Sequence, residues 1–192
     1  MGECRELSTK DKRTMNLFYL HEEPKPCAEL HCDKHVVKMI IEYAQLMSTA
    51  HRMLDGDQYE ALSKNGRRIK RWRMPNSNLE NTLYKASHLN HPTAVWARQT
   101  SGNYEFLYEL FTHLCDEYTY RYGREHLTDS KLRDVLCETP TNITPGPFSP
   151  PPPAMPDDVK SSNVVKAYQQ YYNKYKRDFA VWTKRDTPAF ML

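Results

Sequence analysis

Two histidines, a lysine and a glutamate recur at helical spacing in HCDKHVVKMIIEYAQLMSTAHR, residues 31–52. At about 100° per residue, His31, His35, Lys38, Glu42, Gln45 and Thr49 fall along one line of a helix. Val36, Val37, Ile40, Ile41, Ala44 and Met47 form an apolar arc on the other side, expected to face the core. Three readings of the polar line stand side by side. It is a solvated stripe with Lys38–Glu42 as a surface ion pair. Alternatively, His31 and His35 at i, i+4 bind a metal with Glu42 or Asp33, although Asp33 points away on the helix. In the third, Glu42 is a general acid/base or charge stabiliser while the histidines hold a phosphate or base. His51 falls on the apolar side and is expected in the core.

A second cluster follows in SKNGRRIKRWRMPNSN, residues 63–78, expected to be a basic loop. Lys64, Arg67, Arg68, Lys70, Arg71 and Arg73 surround Trp72 there. Such cations neutralise phosphates, and an exposed tryptophan can stack on bases or wedge between them. The bland alternative is a solvated charge run. Arg98 and Arg121, near expected helix ends, suit phosphate recognition as well.

Helices must position these groups. Pro24 and Pro26 are expected to bar helix until about Ala28, after which one long helix runs to about residue 53 and stops before Asp55-Gly56. Pro92 suits a helix first turn, and Asn103 is expected to cap a helix with apolar residues recurring from Tyr104 to Tyr118. Gly123 ends it, and a short helix is expected around DSKLRDVL. Residues 139–157 contain four consecutive prolines, Pro150 to Pro153, and are expected as a Pro-rich loop, either a linker or a stiff strap anchored by Phe148 and Met155. A final helix is expected over about 161–184, its Tyr168, Tyr172, Tyr175, Phe179 and Trp182 at core or interface spacing. The pattern predicts a mainly α, compact single-domain helical bundle over residues 15–192, after a charged N-terminal extension over 1–14. MNLFYL, residues 15–20, is expected to be a strand or a buried extended lead-in.

The bulk numbers set bounds on this reading. With 192 residues, 39% hydrophobic and 11% aromatic, the chain can bury a core, and 13 tyrosines argue against disorder. A net charge of +3 does not by itself indicate nucleic acid, so the clustering of cations decides. No apolar run of about eighteen residues is present to span a membrane. Five scattered cysteines without a CxxC pair indicate neither a zinc knuckle nor a disulfide framework, so a reducing cytosol is expected and no cofactor or metal is assigned.

LHCDKHVVKMIIEYAQLMSTAHR, NHPTAVWAR, NYEFLYELFTHLCDEYTYRYG and the segment from AMPDD to RDFAVW together resemble a group of uncharacterised tailed-phage proteins. More distantly, Asp33, His35, Glu42, Pro92-Thr93 and the aromatic-basic C-terminus are similar to pyrimidine-dimer DNA glycosylases of the phage endonuclease V type. That resemblance implies a helical enzyme in the cytoplasm of an infected host cell, handling a damaged or modified pyrimidine in double-stranded DNA. It implies Glu42 as the catalytic carboxylate. The family's nucleophile is an N-terminal threonine amine, whereas the aligned opening here is Met15-Asn16 after fourteen residues, so Lys38 or Lys34 becomes the candidate amine. A non-catalytic DNA-binding or host-takeover protein and a metal-dependent hydrolase are the alternative expectations.

Overall fold

The computed structural model describes residues 17–192, so the extension expected over 1–14 and the Met15-Asn16 opening lie outside the described residues. Within these bounds the protein is mainly α, with seven α-helices and one two-stranded antiparallel sheet.

Leu17 to Leu20 carry no regular structure and are buried. Helix α1 (Pro24–Glu29) then forms where helix was expected to be barred. Its prolines occupy the first turn, where the backbone N–H they lack would have no intrahelical partner. The chain breaks at His31-Cys32, and α2 (Asp33–Asp55) begins there, ending at Gly56.

Helix α2 is central and packs against α5 (Ser101–Tyr122). Its buried face holds Val36, Met39, Ile40, Tyr43, Ala44, Met47 and Ala50. The core face thus centres near Met39 and Tyr43, roughly a quarter turn from the expected arc. Val37 and Ile41, expected in the core, are 40% and 46% exposed. The same rotation carries His35 inward, while His31, which precedes α2, is buried in the break before it.

The segment expected as a basic loop is half of a β-hairpin. Strand β1 (Asp57–Leu62) pairs with β2 (Arg68–Arg73) in the register Asp57↔Arg73 to Leu62↔Arg68. Its turn closes with a hydrogen bond from the Gly66 N–H to the Ser63 carbonyl at 2.9 Å. Gly66 has φ +72°, a left-handed conformation that suits glycine.

Helix α3 (Ser77–Thr82), α4 (Pro92–Ala97) and α6 (Leu127–Leu136) are short. The hydroxyl of Thr100, and not Asn103, caps α5 by accepting the Asn103 N–H at 3.3 Å. Asn103 is buried and joins Trp96 to Ser149, donating to the Trp96 carbonyl and accepting the Ser149 N–H at 2.8 Å. Gly123 closes α5 at φ +67°. Residues 141–156 contain neither helix nor strand, and the Ser149 carbonyl accepts the Trp96 indole N–H at 2.8 Å. The last helix, α7 (Val164–Tyr175), is shorter than expected, and a 3-10 turn at Arg177–Phe179 follows.

Candidate functional site

The polar line of α2 exists, but most of it is covered. Just before α2, at the His31-Cys32 break, both ring nitrogens of His31 are engaged. Nδ1 lies 2.7 Å from the Cys27 carbonyl and Nε2 lies 2.9 Å from the Tyr43 hydroxyl. The first contact requires Nδ1 to donate, which leaves Nε2 to accept from Tyr43. Burial pushes the His31 pKa down to about 4. His35 Nδ1 forms a short hydrogen bond with the Tyr172 hydroxyl, and its ring stacks on Phe18 with centroids 4.2 Å apart. Burial, reinforced by His31, Lys176 and Lys38, drives the His35 pKa strongly down. These are neutral rings inside the protein. The expectation that both histidines hold a phosphate or metal is corrected: His31 has no lone pair free, and His35 is covered by Phe18 and Tyr172.

At the other end of the line, Gln45 donates to the Lys85 carbonyl at 2.7 Å and Thr49 is buried against Ser87. What remains open is a window one helical turn long. Lys38 Nζ lies 2.9 Å from Glu42 Oε1, with the side chains 62% and 16% exposed. His91, the N-cap of α4, is close enough to feel the Glu42 charge, although burial holds its pKa below the ordinary histidine value. Lys34 sits over the Phe179 ring at 4.6 Å and Lys176 over Tyr171 at 4.8 Å. Lys34 lies one turn before Lys38 on α2, and Lys176 is close enough to His35 to act on its charge. Further round α2, a cleft of about 700 Å³ lies between Ile41, Tyr84, Tyr118, Arg124, His126 and Leu127.

The hairpin is the other candidate surface. Residues 57–73 hold six cations and two carboxylates, a net charge of +4 in a chain whose total is +3. Arg67, Arg68, Lys70 and Arg73 are exposed, and Arg71 is half-buried. Arg68 approaches Glu60 at 3.7 Å. No described carboxylate lies within 4.0 Å of Lys64, Arg67, Lys70, Arg71 or Arg73. Lys70 and Arg73 lie opposite Glu60 and Asp57 in the register, and Arg73 also acts on the Glu80 charge, which leaves an excess of positive charge toward the tip at Lys64, Arg67 and Arg68.

Trp72 does not. It is 9% exposed and is the only fully inward residue of β2, so it seats the hairpin instead of presenting a wedge to DNA. Arg52 fixes the same base from α2. Its guanidinium donates to the carbonyls of Trp72 at 3.0 Å, Tyr84 at 2.7 Å and Leu83 at 3.0 Å, and it pairs with Glu80 at 2.6 Å. Gly56 makes the joint possible, because a Cβ there would meet the Arg52 carbonyl at 2.5 Å. Sequence spacing does not single out Arg52. A lone arginine in the last turn of a helix reads as an ordinary dipole-complementing cation.

Arg121 also departs from expectation. It is fully buried, between Glu117 at 2.6 Å and Asp33 at 2.8 Å, and donates to the His31 and Glu29 carbonyls. Burial alone would raise the Asp33 carboxyl, but hydrogen bonds from Thr183 and Arg121 outweigh it and hold its pKa low. With every side of its guanidinium engaged, Arg121 ties α1, α2 and α5 together and is not presented to a phosphate. Arg98 is half-buried and donates back to the Ala94 carbonyl at 2.7 Å. His51 is buried as expected, 2.8 Å from the Tyr104 hydroxyl. Comparison of the chain with protein-family models, with curated proteins and with solved structures finds no match.

Proposed function

We propose that the protein binds double-stranded DNA through the hairpin and acts on the sugar–base bond of a damaged or modified pyrimidine nucleotide at the Lys38–Glu42 window. The observation that carries the reading is the excess of six cations over two carboxylates on an exposed hairpin whose base is held by Trp72 and Arg52. Phosphate neutralisation is the strongest use for such a surface. The more distant resemblance to glycosylases of the endonuclease V type suggests the reaction class, and the window supplies an amine beside a carboxylate.

In this reading Nζ of Lys38 adds to C1′. The C1′–N bond breaks with its electron pair on the base, and the C1′–O4′ bond breaks with its pair on O4′. Of the three ammonium protons, Glu42 relays one to the departing base and one to O4′. The third stays on the iminium nitrogen, so the positive charge is conserved. Water then hydrolyses the iminium and returns the amine.

Borohydride added during reaction with a lesion-bearing duplex tests the reading. An adduct mapped to Lys38 supports it. Excision without an adduct assigns the chemistry to a water activated by Glu42. A second reading, DNA binding without chemistry, is favoured by the withdrawal of His31 and His35 into the interior. Tight binding without excision across a panel of pyrimidine lesions would establish that reading in place of the first.

A further inference from the structure

We infer that the hairpin enters the major groove of B-form DNA as a two-stranded ribbon, reading base edges as well as neutralising phosphates. The inference rests on the DNA-binding reading above and adds where on the duplex the arm lies. Three observations carry it: the disposition of cations over the ribbon, its dimensions, and its mounting.

Side chains alternate across a ribbon, so the register divides the cations between faces. Arg71 and Arg73 share one face with Tyr59, and Arg73 lies over the Tyr59 ring at 5.1 Å. Arg68 and Lys70 share the opposite face with Glu60 and Leu62. Lys64 and Arg67 occupy the tip. A ribbon lying flat on the outside of a duplex meets phosphates on one face, and cations on its other face would point to solvent. A ribbon inside a groove has a phosphate row on each side, which matches cations on both faces and at the tip.

The dimensions agree. Paired strands lie about 4.8 Å apart, and six residues of strand extend about 20 Å. The B-DNA major groove, about 12 Å wide and 8.5 Å deep, admits a two-stranded ribbon. The A-form major groove is too deep and narrow for side chains to read, which selects DNA over an RNA duplex.

The mounting leaves the arm free to enter. Apart from Trp72, no residue of either strand is buried, and Leu62 is exposed near the tip. Trp72, Arg52 and Gly56 hold the base against α2, so the arm is presented in a fixed direction. Neither outer edge is paired with another strand among the described residues, leaving backbone N–H groups available to phosphates. Arginine at the tip suits the bidentate contact to guanine O6 and N7.

Dimethyl sulfate protection on a guanine-containing 20-base-pair duplex tests the inference, because it methylates guanine N7 in the major groove and adenine N3 in the minor groove. The intact protein is expected to protect a run of guanine N7 positions and leave adenine N3 reactive. Arg67→Ala/Arg68→Ala/Lys70→Ala should bind at least about tenfold more weakly and lose that protection. An RNA duplex of the same sequence should also bind at least about tenfold more weakly. A stable DNA complex with unprotected N7, or equal affinity for the RNA duplex, overturns the groove assignment while duplex binding stands. No complex with duplex DNA at low salt overturns the DNA reading and this inference together.

Discussion

Replacing Arg67, Arg68, Arg71 and Arg73 together with alanine should change how DNA binding responds to salt, more than it changes the fold. Each phosphate neutralised by a protein cation releases condensed counterion, and the slope of log affinity against log salt is about −0.9 per contact on B-DNA. If all six cations of the hairpin contact phosphate, the intact protein has a slope of about −5, and the variant, with Lys64 and Lys70 left, about −2. Between about 50 and 200 mM salt, the intact protein should lose about three orders of magnitude in affinity and the variant about one. The arm should survive the change. Arg67, Arg68 and Arg73 are exposed and Arg71 is half-buried, and Arg68 meets Glu60 only across an exposed 3.7 Å gap. The packing of Arg73 over the Tyr59 ring is the one aromatic interaction that the substitutions remove. Each substitution should therefore cost within about 0.5 kcal/mol, with up to about 1 kcal/mol at Arg73. Fluorescence anisotropy of a labelled duplex through a salt titration reads both slopes, and urea unfolding reads the stability. A four-lysine variant keeps the charge and should keep the slope. Parallel slopes for the intact and alanine proteins would remove the hairpin from the phosphate contacts, whatever the affinities.

Trp72→Ala should loosen the hairpin base, seen as faster amide exchange across residues 57–73, and weaken binding to regular and distorted duplexes alike; a loss confined to distorted DNA would restore the wedge role. Arg121→Ala removes the partner that Glu117 and Asp33 share, while Arg185 stays 2.8 Å from Glu117 and Thr183 still donates to Asp33, so it should destabilise by about 3 kcal/mol in urea unfolding, the lower end for a broken buried pair, whereas a loss below about 1 kcal/mol would mean the network relaxes into water. Glu42→Gln should lower base excision by about 100-fold with helix content unchanged, and full excision by that variant would end the assignment of Glu42 as proton relay. His31, with its pKa lowered by burial to about 4, takes up a proton later than it does in the unfolded chain, where the value is near 6.5. Its contribution is therefore complete above about pH 6.5 and is lost as pH falls toward 4, about 3 kcal/mol in all, and His31→Gln should flatten that decline; constant stability from pH 7 to 4.5 would contradict a buried neutral ring.

The long helices could be read directly, because local periodicity survives whatever packs around it. Apolar recurrence from Tyr104 to Tyr118, the glycine stop at Gly123 and the turn at Asp55-Gly56 all describe the chain's relation to its own neighbours within a few residues. The cation run was legible for the same reason, since composition is local. Its conformation was not. Pairing β2 with β1 turns an expected loop into a ribbon, and neither strand shows a clean alternation because only Trp72 needs to be buried. The polar line of α2 illustrates the division most sharply. Spacing placed His31, His35, Lys38 and Glu42 on one line, but a helix of two dozen residues carries no information on which side is covered. That was decided by Phe18 and Tyr172 at one end of the line and by Lys85 and Ser87 at the other, residues up to 137 positions away. Arg121 became a buried tie instead of a phosphate ligand in the same way, when Asp33 arrived from 88 residues earlier in the chain. A charge or a ring keeps its chemistry along the sequence, but its access to solvent, and with it any function at a surface, is set by distant segments that bury apolar area on top of it.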